Sequence, residues 1–136
     1  MHSDQTQLQL RKFADALATL KDTADDDEDR KTRDSLLLRY VYTFEMAWQS
    51  MRAVSQDRGD EETPRVAFAA LEMGFKVGYI TNAALWKRLR EGRNGVSHAY
   101  DEAMAIGLAA MVRVDAIPEF ERLLADLALH RLDVVL

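Results

Sequence analysis

The sequence of 136 residues contains no cysteine, which excludes disulfides, thiolate zinc sites and a cysteine nucleophile and suits a reducing cytosol. It has only two prolines and six glycines, and the Val/Ile/Thr clusters bounded by turns that mark strands are missing. Its apolar runs are a few residues long, far short of the ~20 that cross a bilayer. The opening residues, MHSDQTQLQL, carry neither the basic stretch nor the apolar stretch of a signal peptide. The expectation is a cytoplasmic protein without a membrane partner. A formal net charge of −5 argues against a general nucleic-acid coat protein, and DNA is not an expected partner, although a local basic patch remains open.

What is present is helix-forming: Ala, Leu, Arg, Glu and Met dominate. The length is that of one domain, covering residues 1–136. Leu10, Phe13, Ala14, Leu17 and Leu20 recur at helical spacing. The pattern ends in KDTADDDEDR, read as a solvated loop plus the negative first turn of the next helix, which the helix dipole favours. A long helix follows from about Lys31 to Gln56, with Leu37, Val41, Phe44, Trp48 and Met51 inward and Leu36 and Leu38 on a second face. Gly59 suits its C-terminus, and Thr63-Pro64 reads as an N-cap and first helical position. A short helix from Pro64 to about Met73 gives way to GFKVGYI, read as a loop with apolar plugs. Thr81 or Asn82 caps a helix holding Leu85, Trp86 and Leu89, and Asp101 caps the next. Pro118 predicts a kink or a new start near residues 115–118. These segments make an all-α, antiparallel, up-and-down four-helix bundle with an extra short helix.

The stretch EGRNGVSHAYDE gathers a guanidinium, an amide, an imidazole and a phenol. Upstream, Lys87, Arg88, Arg90 and Arg93 stand against one Glu91 in an otherwise acidic chain, a local positive field suited to phosphate or RNA. Arg90, Asn94 and His98 share one helical face, whereas Arg93 lies ~140° round from His98 on an ideal helix. Arg93 and His98 converge only if the helix breaks at Gly95 or a second copy of the chain completes the site across a two-fold interface. The plain alternatives are an ion pair of Arg93 with Glu91 or Asp101 and a helix-end His98 bonded to a backbone carbonyl. A metal site of His98, Asp101 and Glu102 is disfavoured because no second ligand cluster exists and Asp101 serves as a cap; no cofactor is expected.

Four segments, RNGVSHAYDE, the preceding LWKRLREG, TPR with AALEMGF, and YVYTFEMAWQSM, together resemble the HEPN domains, specifically the small subunits of HEPN–MNT toxin–antitoxin pairs, also described as nucleotidyltransferase substrate-binding proteins. The resemblance extends over roughly residues 8 to 127. It implies a homodimeric bundle with a composite cleft in which Arg93 and His98 of both subunits act as a metal-independent ribonuclease. It further implies a cognate MNT-type nucleotidyltransferase antitoxin as partner, which attaches AMP to Tyr100. In that chemistry the RNA 2′-hydroxyl is the nucleophile, His98 moves the proton, Arg93 answers the growing phosphate charge and Asn94 orients either. The alternative is a non-catalytic subunit that docks on a nucleotidyltransferase and presents substrate. The chain departs from the family pattern at Gly92 and Gly95, where bulkier residues are frequent.

Overall fold

The computed structural model describes residues 2–59, 65–98 and 101–133, with side chains of the last helix as far as Leu129. The elements are α1 (Asp4–Ala24), α2 (Arg30–Asp57), α3 (Ala67–Val77), α4 (Ala83–Val96), α5 (Glu102–Met111) and α6 (Ile117–Asp133). A π-helical turn, Val112–Ala116, joins α5 to α6, so those two form one continuous rod. α1, α2, α4 and the α5–α6 rod make the bundle, and α3 is the short insert.

The first two helices start at side-chain caps. Ser3 Oγ accepts from the Thr6 N–H at 3.1 Å to open α1, and His2 Nε2 donates to the Leu127 carbonyl at 2.9 Å, tying that end to α6. Asp29 Oδ1 accepts from the Thr32 N–H at 2.7 Å, and this hydrogen bond holds its carboxyl below the usual aspartate range. The acidic run ends at the cap, and the first turn of α2 has no acid, contrary to expectation; the Asp29 side chain itself accepts from one of the free N–H groups there. Gly59, at φ +81°, follows α2 as expected. Thr63 and Pro64 lie outside the described residues.

One expectation is corrected here and another is met. GFKVGYI is largely helix, since α3 runs through Gly74 to Val77 and ends at Gly78, whose φ of +92° needs glycine. Gly74 is buried where a Cβ would come within 2.8 Å of Met51 Sδ, so it is a packing glycine and not a helix breaker. Tyr79 and Ile80 beyond it are buried plugs. The interruption expected near Pro118 is present: a π turn spans Val112–Ala116 and α6 begins at Ile117. Just ahead of the proline the Ile117 N–H bonds the carbonyl five residues back, at Val112, and this wider turn absorbs the crowding that a proline ring brings to an α-helix interior.

The core is aromatic at its centre. Phe120 sits with its ring centroid 6.0 Å from each of Phe13, Tyr40 and Trp86, separations at which aromatic pairs attract beyond their area. Leu36 is fully buried, whereas Leu38 is 71 % exposed; the second apolar face of α2 is thus split between core and surface. Burial pushes the Tyr40 phenol up, and the neutral hydroxyl donates to the Leu89 carbonyl, fixing α4 against α2. A second tie is polar: Glu119 Oε2 accepts from Trp86 Nε1 at 2.6 Å and from Arg122 Nη2 at 2.9 Å, and the same Arg122 nitrogen donates to the Tyr79 carbonyl at 2.8 Å. Among the described residues, no helix is long and apolar enough to cross a membrane.

Candidate functional site

α4 carries most of the basic cluster, and its orientation follows from its two buried anchors, Trp86 and Leu89. Asn82 opens the helix by accepting from the Leu85 N–H at 3.0 Å. With those anchors inward, Lys87 and Arg88 are exposed and Arg90, Arg93 and Asn94 fall along the side that meets α2 and the start of α3. α4 stays helical through Gly92 and Gly95 to Val96. A Cβ at Gly92 would overlap the Met111 methyl, and one at Gly95 would meet the Met104 methyl at 3.4 Å. Neither glycine breaks the helix.

Arg93 is paired across the bundle. Its Nη2 donates to Glu45 Oε1 of α2 at 2.7 Å, in place of Glu91 or Asp101. Glu45 is itself held, since its Oε2 accepts from Trp48 Nε1 at 2.8 Å. Arg93 Nη1 reaches the neighbouring Asn94 Oδ1 at 3.4 Å, and its Nε is shielded from solvent without a partner. His98 is exposed in the turn after α4, with its N–H bonded to the Gly95 carbonyl at 3.0 Å. Asp101 caps α5 as expected, accepting from the Ala103 N–H at 2.8 Å. Tyr100 lies outside the described residues.

Arg90, Arg93 and Asn94 come together on an open groove of about 430 Å³, whose other walls are Glu45 and Trp48 of α2 and residues 65–68. Arg65 adds a third guanidinium from outside the expected cluster. The Arg90 guanidinium lies over the Phe68 ring, 5.0 Å from its centroid. Lys87 lines a mostly apolar cleft of about 270 Å³ between α3 and α4, which shares Phe68 and Arg90 with the groove, and Arg88 lines neither. Glu45 and Arg65 were not among the expected site residues, because they stand 48 and 28 positions from Arg93 and no local spacing links them.

The fold and this groove define an all-helical bundle that collects positive charge on one flank of α4. A family described as nucleotidyltransferase substrate binding protein like matches residues 8–129, and the chain belongs to that family. A crystal structure of a protein from Thermus thermophilus is similar: it is 27% identical, with a TM-score of 0.74 over 85% of this chain and 98% of that one. No curated protein matches.

Proposed function

We propose that this chain is the toxin component of a HEPN–MNT toxin–antitoxin pair, a metal-independent endoribonuclease whose Arg93 and His98 act together only in a homodimer. The reading is supported by one observation above the rest: α4 remains helical past Gly95. The helix ends at Val96 and His98 lies in the turn beyond it; on this reading a second protomer completes the site. The exposed imidazole of one protomer takes the 2′-hydroxyl proton or protonates the departing 5′-oxygen. Arg93, held in place by Glu45, faces the phosphate oxygens as their charge grows. A partner nucleotidyltransferase silences the toxin by joining AMP to Tyr100, placing an added anion beside the positive flank.

The test is RNA cleavage by the purified chain in EDTA. His98→Ala is expected to lose about 10²- to 10⁴-fold in rate, and Arg93→Ala about 10²- to 10³-fold, with helix content unchanged. Full cutting by His98→Ala overturns the mechanism. Incubation with the cognate nucleotidyltransferase and ATP is expected to add whole AMP masses, and none to Tyr100→Phe. The family description fits equally a non-catalytic subunit that presents substrate to a nucleotidyltransferase; wild-type protein that binds the enzyme but never cuts RNA is that subunit.

A further inference from the structure

We propose that the cleft between α3 and α4 docks a helix of a protein partner, one that turns an apolar stripe toward Phe68 and Phe75 and sets acidic side chains against Lys87 and Arg90. This docking surface does not rest on the ribonuclease reading and holds whether or not the chain cuts RNA.

The cleft exists because two neighbouring helices do not meet. α3 and α4 each pack on α2, but among the described residues no comparable packing joins α3 to α4. The space between them, about 270 Å³, has a buried floor of Ile80 and Trp86. Its walls follow helical spacing: Phe68, Leu71 and Phe75 line it from α3, and Ala83, Trp86 and Arg90 from α4, each set at i, i+3 and i+7. Phe68 and Phe75 are 54 % and 55 % exposed, and seven residues separate them by roughly 10 Å along the axis, about two turns. Large rings left half in water beside an apolar trough are the anchors that protein partners bury. A groove of this kind takes a helix whose own apolar residues repeat at the same spacing. A small molecule fits less well, because its sites enclose most of the ligand and start at about 300 Å³, whereas here both rings stay open to solvent. Charge then selects the helix. Lys87 and Arg90 stand on the α4 rim and Glu72 on the α3 rim, and among the described residues none of the three forms a salt bridge. Two unanswered cations on one side require acids on the facing flank of the occupant. The exposed apolar face of α5 in a second copy cannot supply them, since residues 103–112 carry no charge.

Fluorescence anisotropy with the full-length chain tests the fit. The probe is a labelled synthetic peptide of about three helical turns, with leucines at helical spacing and glutamates flanking them. The control peptide has lysines in place of the glutamates. The glutamate peptide is expected to saturate, and the lysine peptide to bind about tenfold more weakly or less. Phe68→Ala and Phe75→Ala should each weaken the glutamate peptide by about tenfold or more, with helix content unchanged because both rings are exposed. Leu38→Ala, a comparable apolar loss on the outer face of α2, should change nothing. Lys87→Glu should move the preference toward the lysine peptide. The proposal is overturned if the glutamate peptide does not saturate, if the two peptides bind alike, if Leu38→Ala weakens binding as much as Phe75→Ala, or if Lys87→Glu leaves the preference unchanged. Two further results would give the cleft to another occupant and overturn it equally. A loss of mass in light scattering on Phe75→Ala marks a second copy of the chain, and decanoate that binds as tightly as the peptide marks a small amphiphile. RNA cleavage measured on the same variants decides the ribonuclease alone.

Discussion

Glu45 changes what Arg93 can do. A free arginine offers its full charge to a phosphate, but this one arrives with a carboxylate 2.7 Å away that is anchored in turn by Trp48. The pair is part-exposed, so its net contribution to stability is small. Its effect on a ligand is larger, because a fixed negative charge beside the guanidinium cancels part of the field that an incoming anion meets. Glu45→Gln keeps the shape and an acceptor oxygen while removing the charge. At an effective dielectric between that of a protein surface and water, a unit charge several ångströms from the phosphate is worth roughly a threefold to tenfold change in affinity. Nucleotide or RNA binding by Glu45→Gln is therefore expected to tighten by that factor at low salt, with the gain shrinking as ionic strength rises. Affinity that stays level across the salt series would show that Glu45 is screened from the groove.

At the scale of elements, the helices were legible because burial imposes a period on them. Phe13, Leu17 and Leu20, then Leu37, Phe44 and Met51, are both the periodic residues of the sequence and the buried ones of the structure. The misreading of GFKVGYI has a physical origin. Gly74 is a residue that usually ends helices, and here it lies within one because Met51 and Ile80 occupy the space of its missing Cβ. The polar tie across α4 and α6 was equally hidden, since Glu119 and Trp86 stand 33 residues apart. That tie is expected to matter. Glu119 is almost fully buried, and Glu119→Ala strands the Trp86 indole N–H inside the core, at a cost of about 1–3 kcal/mol. Urea denaturation should show this loss, with Glu119→Gln losing less because an acceptor remains. Glu121→Ala, which removes only the exposed pair with Lys21, should change stability by under about 1 kcal/mol. Equal losses in Glu119→Ala and Glu121→Ala would mean that the indole finds water and that the tie holds nothing.

For the molecule as a whole, the exposed face of the α5–α6 rod carries the argument for a second protomer. From Ala103 to Val112 there is no charged residue, yet within α5 only Ala105 and Ala109 are buried. Met104 and Ile106 are 41 % and 44 % exposed, Ala103, Gly107 and Ala110 are exposed between them, and a Cβ at Gly107 would meet nothing. A helix so apolar, with so little of it inside its own chain, is costly to leave in water, and its small residues permit the close approach of a second helix. The proposed ribonuclease requires a two-fold contact that brings the His98 segments of two protomers together, and this face is the one tested for it. Ala110→Glu introduces two facing carboxylates into such a contact and leaves the protomer core untouched, as Ala110 is exposed. The expected result is an unchanged helical spectrum, a halved mass in light scattering, and RNA cleavage lost together with the dimer. Mixing Ala110→Glu with Ala110→Lys chains should restore both, because opposite charges then meet where like charges repelled. A wild-type chain that cuts RNA as a monomer, or an Ala110→Glu chain that stays dimeric and active, would place both the contact and the catalytic pairing elsewhere.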